Sequence, residues 1–234
     1  MFAPTSLAHS FTTLRQWSVD PVGEFVDHSY LIKVCGVTSV DDADLVVQCG
    51  ATALGVILAK SPRQVGLDVA GEILASVTNR VARVAVLGNV DADDVRRVLR
   101  SLDLDAVQIH GGLRPGVAQV VAAQSVALIE ALSIDDLDAR SDVSDAYLID
   151  GPRPGSGETH SWREVTERTW TKPLIVAGGL SADNIAAVLD EVRPWGCDVA
   201  TGSESAPGVK DRTRVESFVR VARQYFDSRE ESRG

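Results

Sequence analysis

The chain is poor in cysteine, carries fewer basic than acidic residues, and has no long apolar run. Its three cysteines (Cys35, Cys49 and Cys197) are an odd number, with no Cys-x-x-Cys and no metal-ligand spacing. Nothing in that spacing points to a disulfide framework, so a reducing, cytoplasmic setting is the expectation. Lys and Arg number 23 against 33 Asp and Glu, a net charge of −10. Nucleic-acid binders normally present a basic face, so that class is set aside. An anionic small-molecule substrate is not, because a local cluster of backbone N–H groups overrides global charge. No stretch reaches the roughly 18 consecutive apolar residues of a membrane span. No basic segment followed by an apolar one opens the chain, so no membrane span and no signal peptide are expected.

What is present is a core and a repeat. The chain has 234 residues, 44% of them in the hydrophobic set, enough to bury a full core. Residues 1–30 are weakly patterned and read as an N-terminal extension. From residue 31 short apolar runs alternate with helical patterns. The strands are expected at Leu31–Val37, Ala53–Leu58, Arg83–Leu87, Ala106–His110, Ala127–Leu132, Ala146–Asp150, Leu174–Ala177 and Asp198–Ala200. Helices are expected from Ser39, with Asp41 and Asp42 in the first turn, from about Asp68, near Asp91, after Ser181, and from Arg212 to Phe226. Several strands are near-continuous Val, Ile, Leu and Ala, the pattern of strands buried on both faces. Parallel strands need long crossovers, and the helices supply them. Eight such units fit a single (β/α)8 TIM barrel over residues 31–228, followed by a charged tail at 229–234. An open doubly wound sheet is the alternative, but it would gather its ligand residues at one switch point. Here polar residues or glycines end nearly every strand.

Two strand ends carry the chemistry. Cys35 and Asp150 each close an apolar run and precede a glycine. A thiol and a carboxyl on one rim of a parallel barrel point to proton transfer, one group as base and the other as acid. Free thiols are mostly protonated at neutral pH, so a thiolate base needs help. Lys33 does not read as the helper, because it lies deeper on the same strand. The glycines point to a phosphate site. Gly178-Gly179 end strand seven and Gly202-Ser203 follow strand eight, the loops where barrels frequently bind phosphate. Gly155-Ser156-Gly157, after strand six, folds toward the same group in this reading. Cys49 and Cys197 are read as packing.

The motifs taken together resemble one family. They are Lys33-Val34-Cys35-Gly36-Val37-Thr38, Val107-Gln108-Ile109-His110-Gly111, Leu148-Ile149-Asp150, Gly155-Ser156-Gly157 with Trp162, Gly178-Gly179-Leu180 with Asn184, and Asp198-Val199 through Gly202 and Glu204 to Pro207-Gly208 and Lys210-Asp211. In this order and spacing they resemble the phosphoribosylanthranilate isomerases of tryptophan biosynthesis, from about residue 31 to residue 226. The resemblance implies a single-barrel isomerase acting on a phosphorylated small molecule, occurring as monomer or homodimer, without cofactor or metal. It implies Cys35 as general base and Asp150 as general acid. It implies Arg63 on the anthranilate carboxylate by a two-point grip, His110 and Asp198 lining the substrate, and the glycine loops as the phosphate cradle.

Some positions depart from the family pattern: Pro154 for a glycine, His160-Ser161 before Trp162, Ala200-Thr201 for a pair of serines, and Leu87-Gly88 for a bulkier pair. Two other readings stay open. One is a bifunctional isomerase that also opens the related aminoimidazole carboxamide ribotide, against which Cys35 and the lack of a second glycine-rich phosphate loop argue. The other is a non-catalytic sugar-phosphate-binding barrel, which would need neither Cys35 nor Asp150.

Overall fold

The structure, a computed structural model, describes residues 30–150 and 162–231. Eight parallel strands close a barrel in chain order: β1 (Leu31–Cys35), β2 (Ala53–Ile57), β3 (Ala82–Leu87), β4 (Ala106–His110), β5 (Ala127–Ser133), β6 (Ala146–Asp150), β7 (Leu174–Val176) and β8 (Gly196–Val199). The last strand returns to the first, pairing Leu31 with Gly196 through Val34 with Val199. The helices between them are α1 (Val40–Gln48), α2 (Leu67–Ser76), α3 (Ala92–Ser101), α4 (Val117–Ala122), α5 (Arg163–Thr166) and α6 (Ile185–Val192). A 3₁₀ segment at Ile134–Ala139 takes the place of a helix after β5, and α7 (Arg212–Glu231) ends the described chain.

The pleat sorts the residues of each strand into two packings. On β1, Ile32 and Val34 join the large apolar layer under the helices, while Leu31 faces the barrel axis. The inner layer at the N-terminal end is mostly alanine (Ala53, Ala82, Ala106, Ala127 and Ala146), and Trp195 packs against it. One layer up, the axis holds Lys33, Gln108 and Asp198, all buried polar residues. This is the floor of the site.

Local chemistry sets the helix starts. Ser39 Oγ accepts from Asp42 N at 3.1 Å, and the Asp91 carboxylate accepts from the N–H groups of Asp93 and Asp94 at 3.0 Å, both N-caps. Three expected bounds need correction, and one hairpin was not expected. Helix α6 begins at Ile185, not directly after Ser181, because Asn184 folds that turn: its Oδ1 accepts from Ser181 N and its Nδ2 donates to Gly179 O, each at 2.9 Å. Strand β8 starts at Gly196, where Gly196 and Cys197 already pair with Leu31 and Ile32. Helix α7 continues past Phe226 to Glu231. Tyr30 anchors that end by stacking on Phe226 at 4.7 Å and donating to Asp227 Oδ1 at 2.6 Å. A two-stranded hairpin, β9 (Glu204–Ala206) and β10 (Val209–Lys210), follows a 3₁₀ turn at Thr201–Ser203. Its signal was Pro207-Gly208, a Pro-Gly turn with Gly208 at φ +82°.

Candidate active site at the barrel mouth

The C-terminal ends of the strands open onto a cavity of about 500 Å³. That lies in the usual range of roughly 300–1,000 Å³ for small-molecule sites. Cys35, Arg63, His110, Asp150, Asp198, Gly178, Gly179 and Gly202 all line it, contributed by loops or strand ends around the whole barrel. Cys35 and Asp150 come from β1 and β6, which lie on different sides of the ring. Gln108, with no role expected from the sequence, lines it too.

Beneath Cys35 lies a buried ion-pair cluster. Lys33 is fully buried and its Nζ donates to Asp198 Oδ2 at 2.7 Å. Removing one member of such a pair leaves an uncompensated buried charge, at a cost of about 3–5 kcal/mol. The hairpin brings in a second pair. Lys210 Nζ donates to Glu204 Oε1 at 3.0 Å, to the Cys35 carbonyl at 2.6 Å and to Ser203 Oγ at 3.2 Å. The hairpin is pinned to the segment after β1, where Thr38 Oγ1 donates to Gly208 O at 2.5 Å and Asp42 Oδ2 accepts from Lys210 N at 3.3 Å.

Arg63 lies in the cavity wall, but its fork is already engaged. Nε donates to Glu204 Oε1 and Nη2 to Glu204 Oε2, both at 2.7 Å, and Nη2 also reaches Thr201 Oγ1 at 3.0 Å. The two-point geometry expected for a substrate carboxylate is made here with Glu204, and Nη1 has no acceptor among the described residues. Gly36 makes the placement possible. It sits at φ +75°, and a β-carbon there would fall 2.5 Å from Arg63 Cδ.

The phosphate expectations divide. Gly178 and Gly179 line the cavity, and their N–H groups have no acceptor among the described residues. Gly202 lines it as well, packed so tightly against the loop after β7 that a β-carbon would lie 2.0 Å from Leu180 O. Ser203 does not face the cavity. Its N–H and its hydroxyl both donate to Ala200 O, at 3.1 and 2.6 Å, and Lys210 occupies the hydroxyl from the other side. Tight turning of the 3₁₀ segment folds Ser203 inward. Gly155, Ser156 and Gly157 lie outside the described residues, as do Pro154 and His160-Ser161.

Two buried acceptors in the cavity floor have no hydrogen-bond partner among the described residues: Gln108 Oε1 and Asp198 Oδ1. Buried polar atoms are normally paired, so these mark where a ligand supplies donors. Gln108 Nε2 and His110 Nε2 lie 2.7 Å apart. With the amide in this orientation its nitrogen donates, and the imidazole that accepts is the tautomer with its proton on Nδ1. Burial, and next the Lys33 charge, push the His110 pKa below its ordinary value, which keeps the ring neutral.

The cysteines behave differently. Cys197 is buried in the layer under the helices and Cys49 packs against that layer, as expected. Burial raises the Cys35 pKa above the usual thiol value, and Lys33 is the strongest influence pulling it back. Gly55, the β2 partner of Cys35, has no side chain, and the lysine rises through that space to the level of the thiol.

Closed parallel strands, a polar floor and an acid and a thiol at the C-terminal mouth define a (β/α)8-barrel enzyme. The model of the N-(5′-phosphoribosyl)anthranilate isomerase family matches residues 32–221. The N-(5′-phosphoribosyl)anthranilate isomerase of Pseudomonas putida strain W619 is 34% identical over 201 residues, covering 82% of this chain and 97% of that protein. The crystal structure of TrpF from Jonesia denitrificans superimposes with a TM-score of 0.75 at 30% identity, covering 84% of this chain and 98% of its own. A phosphoribosyl anthranilate isomerase solved with reduced 1-(o-carboxyphenylamino)-1-deoxyribulose 5-phosphate gives a TM-score of 0.69 at 26% identity, covering 83% of this chain and 99% of its own. The chain belongs to the N-(5′-phosphoribosyl)anthranilate isomerase family.

Proposed function

We infer that the chain catalyses the Amadori rearrangement of N-(5′-phosphoribosyl)anthranilate to 1-(2-carboxyphenylamino)-1-deoxyribulose 5-phosphate. The observation that carries this is the convergence of Cys35 and Asp150 on one cavity that also holds orphaned buried acceptors. Proton transfer at two places on one sugar needs an acid and a base on different sides of it.

In this reading Asp150 enters protonated and donates to the furanose ring oxygen. The bond from that oxygen to C1′ breaks, and the anthranilate nitrogen lone pair forms the Schiff base. Cys35, as thiolate, takes the C2′ proton, and the electrons of that bond form the enolamine. Loss of the 2′-hydroxyl proton and protonation at C1′ give the ketone. Gln108 Oε1 and Asp198 Oδ1 accept from sugar hydroxyls, with neutral His110 beside them. The Nη1 side of Arg63 meets the anthranilate carboxylate. Gly178, Gly179 and Gly202 contribute N–H groups to the phosphate, joined by Gly155, Ser156 and Gly157 from the loop after β6. The proposal extends to residues 31–228 as one catalytic domain, acting in the cytoplasm as monomer or homodimer.

Freshly generated phosphoribosylanthranilate tests this directly. The wild type is expected to speed the loss of anthranilate-type fluorescence and to yield a product of unchanged mass. Aminoimidazole carboxamide ribotide in the same assay is expected to remain unconverted, which separates this reading from the bifunctional one. A wild-type rate equal to background rejects the enzyme reading.

A further inference from the structure

Lys33 and Cys35 lie two residues apart on β1, and both face the barrel axis. In register with Cys35 on the next strand is Gly55. A β-carbon at Gly55 would lie 2.9 Å from Cys35 Sγ and 3.1 Å from Lys33 Cε. The thiol and the lysine stem therefore share the one space where β2 has no side chain. From there the ammonium reaches Asp198 on β8 at 2.7 Å.

The charges around the thiol come from several elements. Lys33 on β1, Lys210 on β10 and Arg63 after β2 are cations, while Asp198 on β8 and Glu204 on β9 are carboxylates. His110 on β4 is neutral, and Asp150 on β6 faces the group across the cavity. The tight cluster thus holds three cations against two carboxylates, all but Arg63 nearly or fully buried. The cations of this cluster favour the thiolate at Cys35, against the burial that raises its pKa.

We propose that Lys33 is a positioning residue for the reaction: its ammonium, carried over Gly55, favours the thiolate form of Cys35 that removes the C2′ proton. The proposal rests on the isomerase reading above. Burial is the largest influence on Cys35 and works against ionisation; Lys33 is the largest one favouring it, ahead of the opposing Asp198 charge and of Lys210. A lysine that merely neutralised Asp198 would act on the thiol only through that carboxylate, so removing both charges together would leave the Cys35 inflection at or below that of the wild type.

The test is alkylation of the full chain by iodoacetamide across pH, read by mass spectrometry of the Cys35 peptide. The thiolate displaces iodide and forms a thioether, so the rate follows the ionised fraction and needs no turnover. Lys33→Met is expected to move the inflection upward by about one pH unit, slowing alkylation about tenfold below both inflections. Lys33→Arg, which keeps the charge, is expected to stay within about threefold of wild type, a tenfold change being one unit. If Lys33→Met does not fold, Lys33→Met with Asp198→Asn removes both charges together. Its inflection is still expected above wild type, because the lysine acts on the thiol more strongly than the aspartate. An inflection at or below wild type in either methionine variant overturns the assignment of Lys33. A wild type without isomerase activity overturns the functional reading instead, and with it the catalytic half of the proposal.

Discussion

Arg63 and Glu204, 141 residues apart in sequence, meet at the barrel mouth in a two-point ion pair, with both N···O distances 2.7 Å. The aliphatic stem of Arg63 lies on Gly36 just after β1, and Lys210 braces the carboxylate from below. Lysine cannot reproduce this planar fork. Arg63→Lys and Glu204→Gln are each expected to raise KM for phosphoribosylanthranilate about tenfold, or about 1.4 kcal/mol, with less effect on kcat. The double variant is expected to be no worse than the larger single change, because both remove one shared interaction. Steady-state kinetics of the four proteins check this.

The same pair predicts an acid limit to stability. Burial works to raise the Glu204 pKa, and the hydrogen bonds and charges of Arg63 and Lys210 outweigh it, so the group sits below the ordinary carboxylate value when folded. A depressed carboxylate stabilises the fold fully above its unfolded pKa and loses that contribution as pH falls through its folded pKa. Wild-type Tm is expected to fall more steeply below about pH 4.5 than that of Glu204→Gln, which has no such group to protonate. Thermal melts across acidic pH measure the difference.

Gly202 packs its backbone against the loop after β7, with Leu180 O only 2.0 Å from where a β-carbon would be. Gly202→Ala must push the loops after β7 and β8 apart. Overpacking of this kind costs about 1–3 kcal/mol. The expected result is a lower Tm together with a KM raised at least about tenfold, since the displaced N–H groups are those assigned to phosphate. Retention of wild-type KM would detach these loops from phosphate binding.

Gln108 buries an acceptor without a partner. Such a group costs folding free energy that a donor from the substrate offsets. Gln108→Leu is therefore expected to lower kcat/KM by about 10–100-fold, equivalent to about 1.4–2.8 kcal/mol, while leaving Tm unchanged or higher. Kinetics and a melt of the same preparation separate the two effects.

Much of the barrel was legible because fully buried strands announce themselves. The bounds of β4 and β6 coincide with their apolar runs, Ala106–His110 and Ala146–Asp150. The start of β8 was hidden because Gly196 and Cys197 carry no strand signature of their own, and their place is set by pairing with β1. The site was legible where one residue ends one strand: Cys35, His110, Asp150 and the Gly178-Gly179 turn all reach the cavity. It was illegible where a side chain acts at a distance. Nothing local to Lys33 shows that Gly55 leaves it a path to the thiol, and nothing local to Arg63 shows that Glu204 occupies its fork. Ser203 was read into the phosphate loop beside Gly202, but the 3₁₀ turn gives its hydroxyl to Ala200 O. These are tertiary facts about pairs of elements, and sequence spacing carries no trace of them.

The central claim is an acid–base pair on two strand ends, and turnover by Cys35→Ser and Asp150→Asn tests it most directly. Loss of anthranilate-type fluorescence from fresh phosphoribosylanthranilate is expected to be fast with wild type and slower by at least about 10²–10⁴-fold in each variant, with both variants folded as judged by their melts. Either variant retaining near-wild-type kcat would contradict the pair and move the proton transfers to other groups in the cavity.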